Sequence, residues 1–128
     1  MKAKMKILVG IDGSEHSKNA LKEAINLAKK FAGSIKVITV HRLGMNKEVE
    51  ALLKEAEQLL KEARIDCSLS SILGSNPSRA LLNTAKHENF DLIVVGSRGL
   101  GSAASFLLGS VSKQVTSESS CDVLVVKK

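Results

Sequence analysis

Apolar and polar positions alternate along this chain in two distinct rhythms. Ile7-Leu8-Val9-Gly10-Ile11 is an uninterrupted apolar run, the pattern of a strand buried on both faces. Asp12-Gly13-Ser14 ends it, and Ser14 is placed to cap a helix beginning at Glu15. Ala20, Leu21, Ala24, Ile25, Ala28 and Phe31 then recur at helical spacing, with Gly33 expected to close the helix. A second strand reads Ile35 to Val40, followed by a short connection, 41–46. The next helix carries the stripe Val49, Leu52, Leu53, Ala56, Leu59, Leu60 and Ala63. Cys67 to Leu73 reads as a third strand, polar enough to sit at a sheet edge. Pro77 opens a further helix, Leu92-Ile93-Val94-Val95 is a fourth strand, a last helix spans 110–119, and Val123-Leu124-Val125-Val126 is a fifth strand.

This βαβαβαβαβ order predicts a single α/β domain over residues 1–128, a doubly wound five-stranded parallel sheet with helices on both faces. The two most apolar strands, the first and fourth, belong in the middle. Right-handed crossovers then favour the order 3-2-1-4-5. In that order the winding reverses between strands one and four, and ligands bind beyond the carboxyl ends of strands at such a point. The loop after strand one, Asp12-Gly13-Ser14, would there face the loop after strand four, Gly96-Ser97-Arg98-Gly99-Leu100-Gly101-Ser102. Both are rich in glycine and hydroxyl residues whose backbone N–H groups can wrap an oxyanion. Ser110, at the start of the last helix, would add free N–H groups and the positive end of the helix dipole.

Composition narrows the chemistry. The chain has 128 residues, three Phe, no Tyr and no Trp, so it offers almost nothing for stacking single-stranded nucleic acid. Its net charge of +6 is spread along the chain, which favours a solvated lysine surface over a nucleic-acid stripe. Cys67 and Cys121 form no metal-binding spacing and suit a reducing compartment. The first apolar run is too short for a signal peptide and no run approaches a membrane span, so the expected location is the cytoplasm. GxxxxGK is absent, the glycines run in the wrong order for GxGxxG, and no GxSxG elbow occurs. His16, His41 and His87 form no ligand pair.

One spacing does match. Gly96, two residues, Gly99, nine residues, then Gly109-Ser110 fits G-x2-G-x9-G-S/T, with a chance occurrence on the order of one in two hundred at average glycine usage. With the opening Ile7 to Ser14, the block Asp91 to Gly99 and the ending Cys121 to Val126, the whole chain resembles the universal stress protein family, specifically its ATP-binding branch. The resemblance implies a Rossmann-like fold of the adenine-nucleotide α-hydrolase type. It implies that Gly96, Gly99, Gly109 and Ser110 hold phosphates and ribose, with Ser97, Arg98, Leu100, Gly101, Ser102 and Val111 adding contacts. Asp12 would lie by the ribose and by a Mg or Mn ion on the phosphates. Val40 would offer its backbone to adenine, and dimers would pair through Val123 to Val126. The expected protein is therefore a homodimeric ATP-binding stress or signalling module with no catalytic residues assigned. A weak ATPase, a nucleotide-free interaction scaffold and, least of all, a nucleic-acid binder are the alternatives. Asp12 is the one candidate for activating water.

Overall fold

The computed structural model describes residues 4–98 and 108–127. Strands β1 (Lys6–Gly10), β2 (Ser34–His41), β3 (Cys67–Leu73), β4 (Leu92–Gly96) and β5 (Asp122–Val126) alternate with helices α1 (Glu15–Phe31), α2 (Asn46–Glu62), α3 (Pro77–His87) and α4 (Ser110–Glu118). All five strands are parallel, in the order β3-β2-β1-β4-β5. The doubly wound sheet is thus the one that the apolar pattern predicts, and the polar β3 does lie at an edge.

Strand periodicity decides which helices cover which face. Successive side chains point to opposite faces, so Ile7 and Val9 pack with α1 and α2, against Ala20, Leu21, Ala24, Ile25, Ala56 and Leu60. Leu8 and Ile93 point the other way and pack with α3 and α4, against Leu81, Leu82, Ala85 and Val115. The two helices that carry the chain from β1 to β3 share one face. The two that carry it from β3 to β5 share the other. This is what right-handed crossovers require when the winding direction reverses.

Helix ends follow local chemistry. The Ser14 hydroxyl accepts the Ser17 N–H at 3.1 Å and caps α1. The Asn76 side chain accepts the Arg79 N–H at 3.1 Å and caps α3, with Pro77 in its first turn. One end departs from the sequence expectation. The left-handed residue closing α1 is Ala32, at φ 52°, and not Gly33. Gly33 is needed for a different reason: a Cβ there would come 2.9 Å from the Met5 carbonyl oxygen, which accepts the N–H of Ser34. At α4 the capping residue is Gly109 and Ser110 is already helical. Among the described residues no helix is long and apolar enough to cross a membrane, and both cysteines are free. Burial, reinforced by Glu57 and Asp66, pushes the Cys67 thiol above its ordinary pKa, away from nucleophile chemistry.

Candidate functional site

A cleft of about 460 Å³ opens at the carboxyl ends of β1, β2 and β4, where the winding reverses. Its aliphatic lining comes from Ile11, Ile38, Leu81, Val95 and Val111. Its polar lining comes from Asp12, Ser17, Arg42, Arg98, Ser110 and Ser112, with Gly10, Gly96, Gly109, Val40 and Pro77 completing it. The volume falls within the range of about 300–1,000 Å³ usual for small-molecule sites, and so does the mixture of apolar walls and a few polar groups.

On the β1 side, the turn into α1 is braced by its own polar groups. The Asp12 carboxylate accepts the Ser14 N–H at 2.9 Å, and the Asp12 N–H donates to the Ser17 hydroxyl at 3.2 Å. Ser17 in turn donates to the Ser14 carbonyl at 3.0 Å. Asp12 therefore shapes the turn, while Ser14 does the capping. This leaves the aspartate at the cleft wall beside the end of β1.

On the β2 side, hydrogen-bond parity sets what Val40 presents. The Ile38 carbonyl accepts the Ile11 N–H at 3.0 Å, so even-numbered residues of β2 turn their backbone groups toward β1. The His41 carbonyl accepts the Gly74 N–H at 2.8 Å, so odd-numbered residues turn theirs toward β3. β1 ends at Gly10. The backbone N–H and C=O of Val40 thus face the space beyond the end of β1, inside the cleft.

On the β4 side, Ser97 is a buried junction. Its N–H donates to the Val126 carbonyl at 2.9 Å, and its carbonyl accepts the Gly109 N–H at 2.6 Å and the Ser112 hydroxyl at 2.9 Å. Its own hydroxyl meets His16 Nδ1 at 2.7 Å. These bonds fasten both ends of the segment between Arg98 and Leu108 to α1, α4 and β5. Ser97 consequently turns inward and is absent from the cleft lining, whereas Gly96 and Arg98 on either side of it line the cleft. Gly96 also meets a steric demand, since a Cβ there would stand 2.6 Å from the His16 carbonyl carbon.

The amino end of α4 opens into the same cleft. Gly109 contributes no side-chain cap, in contrast to Ser14 at α1 and Asn76 at α3. The Lys113 N–H is the first to close a helical turn, onto the Gly109 carbonyl at 3.0 Å. The N–H groups of Ser110, Val111 and Ser112 precede it and have no intrahelical acceptor. Together with the helix dipole they favour negative charge at this end.

The structure thus brings Asp12, Val40, Gly96, Arg98, Gly109, Ser110 and Val111 to one cleft. Gly99, Leu100, Gly101 and Ser102 lie outside the described residues. Sequence reasoning missed Arg42, Ser17, Pro77 and Ser112, which also line it. Arg42 was within reach of a sequence argument, being two residues beyond Val40, but no motif marks it. Among the described residues no group of three or more His, Cys, Asp or Glu comes together as a metal cage.

Known proteins share this fold. A universal stress protein of Thermus aquaticus is 36% identical over 135 residues, covering 94% of this chain and 97% of the relative. Universal stress protein YxiE of Bacillus subtilis is 32% identical over 146 residues, covering 95% and 98%. Among solved structures, hypothetical protein MJ0577 superposes with a TM-score of 0.83 at 27% identity, covering 99% of this chain and 98% of that one. A universal stress protein solved in complex with cAMP superposes with a TM-score of 0.79 at 28% identity, covering 98% of each chain. The model of the universal stress protein family matches residues 4–127, and the chain belongs to that family.

Proposed function

We propose that this protein binds an adenine nucleotide, ATP in its fullest form, and acts as a homodimeric, nucleotide-dependent stress-response or signalling module. The observation that carries the reading is the pairing of two backbone features across the end of β1. The uncapped amino end of α4 lies on one side and the inward-facing backbone of Val40 on the other. The first suits phosphates. The second supplies one N–H donor and one C=O acceptor, the complement of an adenine edge, beside an aliphatic lining. A related structure holding cAMP supports the same ligand class.

In this reading Gly109, Ser110 and Val111 hold the phosphates through the first turn of α4, with Arg98 adding charge beside them. Gly99, Leu100, Gly101 and Ser102 would complete the phosphate loop, and Ser97 would hold that loop to the fold from behind. Gly96 contributes by letting α1 approach. Asp12 stands at the ribose and, with the phosphates, holds a Mg or Mn ion. Nucleotide occupancy of the Gly96–Gly109 loop would then change the surface offered to a partner.

The deciding experiment pairs the natural chain with Gly109→Leu. Gly109 has φ −70° and ψ 169°, extended backbone that any residue adopts, so the substitution imposes no backbone strain. Its side chain would intrude at the phosphate end of the cleft. The natural chain is expected to release an adenine nucleotide on denaturation, identified by mass spectrometry, and to bind Mg-ATP in calorimetry. The variant should lose at least tenfold in affinity while melting at an unchanged temperature. A natural chain that releases no nucleotide and gains no thermal stability with Mg-ATP would sink the reading.

A further inference from the structure

We infer that the guanidinium of Arg42 stacks on the purine base and is a specificity-determining residue of this site; the inference rests on the nucleotide reading above. Nucleotide sites commonly close over the base with an aromatic ring. This chain has three Phe, no Tyr and no Trp, and none of the described residues lining the cleft is aromatic. A base set against the Val40 backbone would have Ile38 and Leu81 of the same apolar cluster beside it, and Arg42, two residues beyond Val40, is the planar side chain lining the β2 end of the cleft.

The backbone of Arg42 is held in place. Its carbonyl accepts His41 Nδ1 at 3.1 Å and the Met45 N–H at 3.4 Å, in a turn completed by Gly44 at φ 92°. The ion pairs of the described residues do not include the Arg42 guanidinium. Arginine suits this place because its charge is delocalised over a plane that stacks on aromatic faces while its edge stays hydrated. A phosphate role fits less well. The amino end of α4 follows β4, two strands from β2, or about 10 Å away at the usual strand spacing.

Calorimetric titration of AMP, ADP and ATP into the natural chain, Arg42→Ala and Arg42→Lys tests this. Stacking on the base predicts that Arg42→Ala weakens all three ligands by the same factor, about 3- to 30-fold. Arg42→Lys should not restore the loss, because an ammonium has no plane. A loss that grows from AMP to ATP, or one that lysine restores, would place the guanidinium on the phosphates and overturn the inference. Unchanged affinities in Arg42→Ala would overturn it as well. A natural chain that binds none of the three ligands overturns the nucleotide reading itself, which shows before any substitution is made. Arg42 is exposed, so both variants should melt with the natural chain.

Discussion

Gly96 and Gly109 carry the same letter in the glycine motif but meet different physical demands. Gly109 is extended and open to the cleft, so its lack of a side chain leaves room for a ligand. Gly96 is filled from behind: an added Cβ would lie 2.6 Å from the His16 carbonyl carbon and 2.8 Å from its oxygen. Backbone atoms of a helix cannot step aside as a flexible side chain can. Gly96→Ala is therefore expected to destabilise the fold by about 1–3 kcal/mol, the range for forced overpacking. Urea denaturation should show this as a lowered midpoint with an unchanged slope; an unshifted midpoint would show that α1 gives way at no cost. Much of the site was legible at this scale. Asp12, Val40, Gly96, Arg98, Gly109, Ser110 and Val111 come from sequence and do meet at the cleft. Direction was not legible. Ser97 turns inward because its N–H and C=O are taken by Val126 and Gly109, and Arg42 enters the wall because β2 ends one residue before it. Both depend on partners far away in sequence.

Elements were easier to read than their ends. The central strands were visible as continuous apolar runs and α1 and α2 as stripes of period 3.6, because burial on both faces or on one sets those patterns. The ends are set by individual polar bonds, which is why α1 closes on Ala32 and α4 is capped by Gly109. Between elements, one contact makes a pH prediction. Arg79 of α3 donates to Glu118 of α4 at 2.9 Å, and this hydrogen bond, followed by one from Gln114, holds the Glu118 carboxyl below the ordinary glutamate pKa. A lowered folded-state pKa means that the pair contributes stability above the ordinary value, about 4.3, and loses it as pH falls through the lowered value. The contact is exposed and its contribution small. Chemical denaturation of the natural chain and of Arg79→Ala should thus differ slightly at pH 7 and converge as pH falls through the lowered Glu118 value. A gap that is the same above and below that value would mean that Arg79 acts through its aliphatic stem, not its charge.

At the scale of the molecule, the sheet has two edges of different character. β3 is the longer, more polar edge, with Ser68, Ser71 and Leu73 exposed. β5 is short and made of Val123, Leu124, Val125 and Val126, all partly buried, with Leu124 and Val126 packed toward one layer of helices and Val123 and Val125 toward the other. An apolar edge of this kind pairs readily with another strand, and the proposed homodimer would form here. Backbone parity supplies a clean test. The Val126 carbonyl accepts the Ser97 N–H, so the backbone groups of even-numbered β5 residues face β4 and those of Val123 and Val125 face outward. Val125→Pro deletes an outward N–H and leaves the β4–β5 ladder intact, as proline on an edge strand allows. Light scattering on a sizing column should give twice 13.7 kDa for the natural chain and 13.7 kDa for the variant. Nucleotide affinity should be retained, because β5 contributes no residue to the cleft lining. A monomeric natural chain would remove the dimer from the proposal. A variant that stays dimeric would move the interface away from the β5 backbone. If the variant becomes monomeric and also loses nucleotide, the two properties are coupled through Ser97, the residue that touches both β5 and the amino end of α4.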